Sequence, residues 1–418
     1  MDKFIIHGGK SLKGEVSISG AKNAALPIMA ATIIEPGEYI LHNIPNLRDT
    51  LTMKRLLEMI GATVNYNNNT MEINTVDCDT PIAPYELVKT MRASFYVLGP
   101  FMSRFGEAQV SLPGGCAWGP RPVDFHLKAL EQMGASVTLS DGMIHAKGKL
   151  AGVHIHFDKS SVGATGNVVM AAVYAEGITT ISNAAMEPEI VALCDFLTDL
   201  GTDINGIGTD TLAITGGNKL QNGVEFNNIP DRIEAGTFLL AGAITNGEIT
   251  LLNADPDHLK VVIDSLKQAG VTIETGRDWV KVTNPSKKIN PVNMVTAVYP
   301  GFPTDLQAQW IALMTRADGH SIIIDDIYTD RFTHLAELSR FGAHIQLTQN
   351  RAEIYGIDKL RGAPVMSTDI RASASLILAA LAAEGKSEIS RIYHIDRGYE
   401  NIETKLKAIR ADIDRVKA

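Results

Sequence analysis

Leu130-Glu131-Gln132-Met133-Gly134-Ala135 is the stretch on which the fold turns, because the chain contains six versions of it. The others are Leu56-Leu57-Glu58-Met59-Ile60-Gly61-Ala62, Phe196-Leu197-Thr198-Asp199-Leu200-Gly201-Thr202, Leu266-Lys267-Gln268-Ala269-Gly270-Val271, Leu338-Ser339-Arg340-Phe341-Gly342-Ala343 and Leu406-Lys407-Ala408-Ile409-Arg410-Ala411. Each reads as the last turn of an amphipathic helix, then a tight turn into a strand. Gly61, Gly134, Gly201, Gly270 and Gly342 stand where a helix ends on a left-handed residue. Arg410 occupies the sixth slot, where a side chain on the same backbone would be strained. A period near 70 residues marks an internal repeat, and the repeat decides the architecture.

Each repeat also opens alike, with polar or charged residues ahead of a helix of small side chains. The openings are Gly20-Ala21-Lys22-Asn23-Ala24-Ala25-Leu26, Thr90-Met91-Arg92-Ala93-Ser94 and Ser160-Ser161-Val162-Gly163-Ala164-Thr165 in the first half. The second half has Pro230-Asp231-Arg232-Ile233-Glu234-Ala235, Pro303-Thr304-Asp305-Leu306-Gln307 and Thr368-Asp369-Ile370-Arg371-Ala372. In the fifth repeat Thr304 is a candidate N-cap, and Leu306, Trp310, Leu313 and Met314 recur at helical spacing. A strand at 321–324, a second helix at about 331–341 and a strand pair within 345–355 follow. The repeat thus reads helix, strand, helix, strand, strand.

One such repeat cannot bury a core alone, so the six should group as three and three. The first strand, Lys3 to Ile6 or Val16 to Ile18, precedes the first helix and is expected to pair with the last repeats. This predicts a discontinuous C-terminal domain, residues 1–20 with 230–418, and a second three-repeat domain, 21–229. A cleft between two such domains is the usual place for a ligand.

A chain of 418 residues with 45% hydrophobic and 20% charged content is that of a multi-domain globular protein. Its net charge of −9 argues against nucleic acid or an acidic membrane as partner. No apolar run reaches transmembrane length, and the start lacks the apolar core of a signal peptide, so a cytoplasmic protein is expected. The three cysteines, Cys78, Cys116 and Cys194, have no metal-ligand spacing, and no histidine pair has zinc spacing. No Walker or Rossmann glycine pattern appears. Neither a metal nor a cofactor is expected. His154 and His156 alternate with apolar residues like exposed strand positions, and Cys194, Trp279 and Trp310 read as core.

Helix N-termini bind anions through free amides and the dipole. Lys22, Arg92, Arg232 and Arg371 lie at these openings, where a cation does the helix itself no good. Each alone is best read as a solvated surface charge. As a set they fit a phosphate- or carboxylate-lined site. Asp305 and Asp369 at matching openings suit proton acceptors instead.

One loop stands apart: Leu112-Pro113-Gly114-Gly115-Cys116-Ala117-Trp118-Gly119-Pro120-Arg121-Pro122-Val123-Asp124-Phe125-His126. Its glycines and prolines exclude regular structure. It is either a connector or a flap over a site, and only Cys116 among the cysteines is placed like a reagent.

Ser19 to Leu26, Leu112 to Cys116, Gly119 with Arg121 to Asp124, Pro230 to Glu234, Phe302 to Asp305 and His394-Ile395-Asp396-Arg397-Gly398-Tyr399 together resemble the enolpyruvyl transferases over the whole chain. The likeness is to the branch that acts on UDP-N-acetylglucosamine. It implies an α/β fold, a two-domain inside-out α/β barrel of six repeated units, three per domain, closing over substrate. It also implies a monomer taking two small-molecule substrates. The implied reaction moves enolpyruvate from phosphoenolpyruvate to the sugar 3-hydroxyl and releases phosphate, by addition and elimination, opening peptidoglycan synthesis.

The resemblance makes Lys22, Arg121 and Arg397 the phosphoenolpyruvate cations and Asp305 the base. It makes Cys116 a general acid on a closing loop and the target of fosfomycin-type epoxides. Asp369 and Arg371 fall beside the reaction centre. Asn23, Arg92, Arg121, Pro122, Val123, Asp124, Ser161, Val162, Gly163 and Ile327 match nucleotide-sugar positions. The sequence departs from the family pattern at Ala117-Trp118 and Pro120, at Ile327-Tyr328 and at Arg410.

Three rivals share the fold: a transferase acting on shikimate 3-phosphate, a silent nucleotide-sugar-binding regulator, and a cyclase acting on RNA ends. The first lacks the cysteine loop and the Ala-Lys-Asn opening. The retained Lys22, Cys116, Asp305 and Arg397 disfavour the second. The acidic balance disfavours the third.

Overall fold

The computed structural model describes residues 2–89, 91–112 and 123–417. Cys116, Trp118, Pro120, Arg121 and Pro122 therefore lie outside the described residues, as does the side chain of Arg92. Two compact bodies emerge: Met1–Ser19 with Pro230–Ala418, and Gly20–Ile229. They are called here the discontinuous and the continuous body.

Among the described residues there are six four-stranded sheets with one shared topology, three in each body. In the second repeat Ile82–Ala83 runs parallel to Glu107–Ser111, which is antiparallel to Met143–Lys147, which is antiparallel to Ser136–Ser140. The third and fifth repeats copy this order.

The remaining sheets explain the discontinuity. Lys13–Ser17 precedes the first helix of the continuous body, yet pairs in parallel with Glu248–Leu252 of the fourth repeat. Glu225–Asn227 precedes the first helix of the discontinuous body, yet pairs with Glu38–His42 of the first repeat. Asp2–His7 lies between Lys386–Ser390 and Asp412–Lys417 and fills the inner-strand position of the sixth sheet. Of the two predicted first strands, one does join the last repeat. The other joins the fourth, because there it is the parallel edge strand that the other repeats take from the segment just ahead of their helix.

Each repeat has a buried and a surface helix. Every residue of Gln307–Met314 is buried, and so is every residue of Arg232–Ile244 after Arg232. A helix apolar on all sides belongs in a core, and Ala235, Gly236, Ala241, Gly242 and Ala243 let its neighbours come close. In the discontinuous body these two helices and Ile370–Ala382 pack on one another. In the continuous body Leu98–Phe105 packs on Val162–Ala172, and Lys22–Ala31 on the 3-10 turn Arg92–Val97. The surface helices, such as Lys260–Gln268 and Asp124–Gln132, bury one face only. Cys194 and Trp310 are fully buried, whereas Trp279 is half-buried.

The glycine turns have the backbone their sequence predicts, with φ between 84° and 115° at Gly61, Gly134, Gly201, Gly270 and Gly342. Arg410 adopts the same left-handed form, φ 74°. The turn geometry is thus imposed by the repeat, and the arginine bears a strain of about 1–2 kcal/mol. Thr304 differs from its expected role. It begins a 3-10 turn, Thr304–Leu306, whose N-cap is Pro303, and its hydroxyl bonds elsewhere.

Candidate active site

In the discontinuous body the starts of two inner helices meet at Asp305. Its carboxylate Oδ1 lies 2.8 Å from Arg331 Nη2 and its Oδ2 lies 3.0 Å from Arg371 Nη2. Arg371 is buried; burial opposes its charge, but Asp305 and Tyr399 outweigh that and raise its pKa above the ordinary arginine value.

Arg331 reaches the site from just ahead of helix His334–Arg340 and donates from Nη1 to Thr304 Oγ1 at 3.1 Å. Thr304 in turn donates to Asp325 Oδ2 at 2.7 Å. Asp325, wholly buried, accepts from Thr296 Oγ1 and from the amides of Ile327 and Tyr328 at 3.0 and 2.8 Å. This chain fixes the backbone at Ile327, whose side chain remains exposed.

Asp369 is the N-cap of helix Ile370–Ala382. Its Oδ1 accepts from the amides of Arg371 and Ala372 at 2.8 and 3.0 Å, and its Oδ2 accepts from Thr368 Oγ1 at 3.1 Å. Asp231 caps Arg232–Ile244 in the same way. His334 is buried near Asp369 and Arg331, and burial pushes its imidazole down to about 4. Arg397 ends the 3-10 turn Ile392–Arg397, which packs on helix Ile370–Ala382.

The continuous body supplies a second set. Lys22 is the first residue of its helix, nearly buried, with Nζ 3.6 Å from Asp49 Oδ2. Asn23 follows it, half-buried. Ahead of Val162–Ala172, Ser161 Oγ accepts the amide of Ala164 at 3.3 Å. A Cβ at Gly163 would come within 3.2 Å of the His126 ring, so a side chain there would need the ring to yield by a few tenths of an ångström. His126 itself is buried, with Nδ1 3.0 Å from Asn167 Nδ2, and since an amide nitrogen only donates, Nδ1 accepts. Val123 caps and Asp124 begins the helix Asp124–Gln132, which packs on Val162–Ala172, so the expected irregular stretch ends before Asp124, past its last proline, and Asp124 to His126 are helical.

The structure therefore gathers Asp305, Asp369 and Arg371 in one body, with Arg397 on a turn against the same helix. Lys22, Asn23, Val123, Asp124, Ser161, Val162 and Gly163 lie in the other. Reading the sequence missed Arg331, Asp325 and His334. Asp325 had a signal, an aspartate closing the apolar strand run Ser321 to Ile324; Arg331 and His334 had none, sitting in a stretch that reads as an ordinary surface helix. Among the described residues no group of three or more His, Cys, Asp or Glu could hold a metal ion. No helix of the described residues is long and apolar enough to cross a membrane.

Residues 6–406 match the family profile of EPSP synthase (3-phosphoshikimate 1-carboxyvinyltransferase). A UDP-N-acetylglucosamine 1-carboxyvinyltransferase of Chlorobium chlorochromatii is 55% identical, covering 100% of this chain and 99% of that protein. The protein of that name from Chlorobaculum parvum is 54% identical over 99% of this chain and 98% of its own length. Among solved structures, the enolpyruvyl transferase NikO from Streptomyces tendae superposes with a TM-score of 0.90 at 25% identity, covering 100% of this chain and 99% of that one. An EPSP synthase from Acinetobacter baumannii shares the fold, with a TM-score of 0.77 at 18% identity and full coverage of both chains. With matches of this length and identity, the chain belongs to the enolpyruvyl transferase family.

Proposed function

We propose that this chain transfers enolpyruvate from phosphoenolpyruvate to the 3-hydroxyl of UDP-N-acetylglucosamine with release of phosphate, the step that commits the nucleotide sugar to peptidoglycan. The observation that carries the reading is the full-length identity of 55% to a relative of that name. The shikimate alternative is weaker, since the EPSP synthase structures stand at 18–19% identity.

The chemistry needs cations for a phosphate and a carboxylate, a base for the sugar hydroxyl, and an acid for the methylene carbon. Lys22, Arg121 and Arg397 are assigned the first task; preorganised charge of this kind is usually the largest catalytic contribution. Asp305 is assigned the second. Its two oxygens are engaged by Arg331 and Arg371, which orient the carboxylate, and a carboxylate oxygen has a second acceptor site for the sugar hydroxyl. Asp369 and Arg371 flank it. Asn23, Arg92, Arg121, Pro122, Val123, Asp124, Ser161, Val162, Gly163 and Ile327 are assigned to the nucleotide sugar.

Cys116 is assigned the acid. Supporting this, the other two thiols are buried and burial pushes them up, Cys78 to about 11 and Cys194 to about 12, so neither offers thiolate at neutral pH. Fosfomycin should therefore label Cys116 alone, and a mass-mapped adduct on Cys78 or Cys194 would contradict the assignment. We also place the protein in the cytoplasm, as a monomer.

The experiment is phosphate release from phosphoenolpyruvate, alone, with UDP-N-acetylglucosamine, and with shikimate 3-phosphate. Release only with the nucleotide sugar is expected. Release only with shikimate 3-phosphate, or none with either, overturns the reading.

A further inference from the structure

We infer that Tyr399 is a positioning residue for this reaction: its hydroxyl fixes the guanidinium of Arg371 and, through it, the carboxylate of Asp305. The inference rests on the proposed transfer reaction and adds a residue to it.

Tyr399 is 2% exposed. Its hydroxyl lies 2.8 Å from Thr237 Oγ1, 3.2 Å from Gln309 Nε2 and 3.4 Å from Arg371 Nη1. An amide nitrogen and a guanidinium nitrogen can only donate. The phenol oxygen therefore accepts from both, and its own proton goes to Thr237 Oγ1. Thr237 agrees, since its hydroxyl proton is directed to the carbonyl of Ile233 at 2.8 Å, leaving its oxygen to accept. Gln309 Nε2 lies 3.2 Å from Thr237 Oγ1 as well, so its two hydrogens are shared among three acceptors, while the Tyr399 and Thr237 protons each have one direction. The phenol remains protonated, because burial raises its pKa against the lowering effect of Arg371.

The network has one partner from each inner helix of the discontinuous body: Thr237 from Arg232–Ile244, Gln309 from Gln307–Met314 and Arg371 from Ile370–Ala382. It also grips the backbone of the base, since Gln309 Nε2 donates to the carbonyl of Asp305 at 3.1 Å. The turn that carries Tyr399 is pressed onto the start of the Arg371 helix. A Cβ at Gly398 would come within 2.7 Å of Ile370 Cγ2.

A guanidinium buried to this degree can pivot only if its hydrogens find new partners. Tyr399 holds Nη1, and that leaves Nη2 aimed at Asp305 Oδ2. Removing the hydroxyl strands Nη1 and lets Arg371 turn. A displacement of about 1 Å of a catalytic group commonly costs on the order of 100-fold in rate.

The test is steady-state phosphate release by wild type, Tyr399→Phe, Arg371→Lys and the double variant, with thermal unfolding beside it. Tyr399→Phe should lower kcat by about tenfold or more while KM for UDP-N-acetylglucosamine stays within about twofold, the split expected when transition-state geometry rather than binding is lost. In the Arg371→Lys background the same change should cost less than about twofold, because the group it positions is already replaced. Wild-type kcat in Tyr399→Phe, or equal losses in both backgrounds, overturns the inference. If Tyr399→Phe does not fold, Thr237→Val carries the test: a several-fold drop in kcat at constant KM supports the inference, and unchanged kcat overturns it. Lack of phosphate release by wild type would instead be a failure of the proposed reaction.

Discussion

The inner helices of the two bodies begin differently. In the discontinuous body two of the three start on an aspartate that accepts two backbone amides, Asp231 and Asp369. In the continuous body Ala21 and Met91 give their helical segments no side-chain cap, and Ser161 takes a single amide. A carboxylate cap cancels the positive end of a helix, whereas an uncapped start keeps its amides for an external anion. The difference leaves the continuous body with uncapped helix starts, one of them at Lys22, and the discontinuous body with starts already occupied by carboxylates. The carboxylate that escapes capping, Asp305, is the one assigned the base.

The largest expected effect is at the uncapped carboxylate. Asp305→Asn should lower kcat by about 10²- to 10⁴-fold with little change in KM. Next, Asp369 can be split into its two roles. Asp369→Asn keeps the cap, so thermal unfolding should stay near wild type while turnover falls about tenfold or more. Asp369→Ala should in addition lose about 1 kcal/mol of stability in denaturant unfolding. Full activity in the asparagine variant would leave Asp369 as a cap only.

A smaller effect is the acid sensitivity of the discontinuous body. His334 is held neutral by burial, with its pKa pushed down to about 4, Asp369 acting the other way and Arg331 reinforcing the shift. The unfolded chain takes up a proton at an ordinary pKa near 6.5, so this stability is complete above that pH and falls as pH drops toward 4. Between pH 7 and pH 5 the loss should be about 2 kcal/mol, and His334→Gln should flatten it in urea titrations. The smallest effect concerns the turns. Arg410→Gly should stabilise by about 1 kcal/mol, raising the unfolding temperature by a few degrees, while activity is unchanged.

The repeats were legible because glycine leaves a mark: Gly61, Gly134, Gly201, Gly270 and Gly342 are conformational requirements written one residue at a time. The pairing of Lys13–Ser17 with the fourth repeat was not legible, since an edge strand of alternating residues carries no address for its partner. In the site, Asp305, Asp369 and Arg371 could be read from their shared place at helix openings. Arg331 and His334 could not, because what makes them part of the site is burial against Asp305 and Asp369, a tertiary fact. Thr304 had the composition of a cap and serves Asp325 instead, since Pro303 and a 3-10 turn take the helix start.

The most direct measurement is mass spectrometry of the nucleotide sugar after incubation with phosphoenolpyruvate and this protein, alongside the phosphate released. The account predicts one enolpyruvyl ether on the sugar for each phosphate formed. Phosphate without a modified nucleotide sugar, or an unmodified sugar with no phosphate at all, would contradict it.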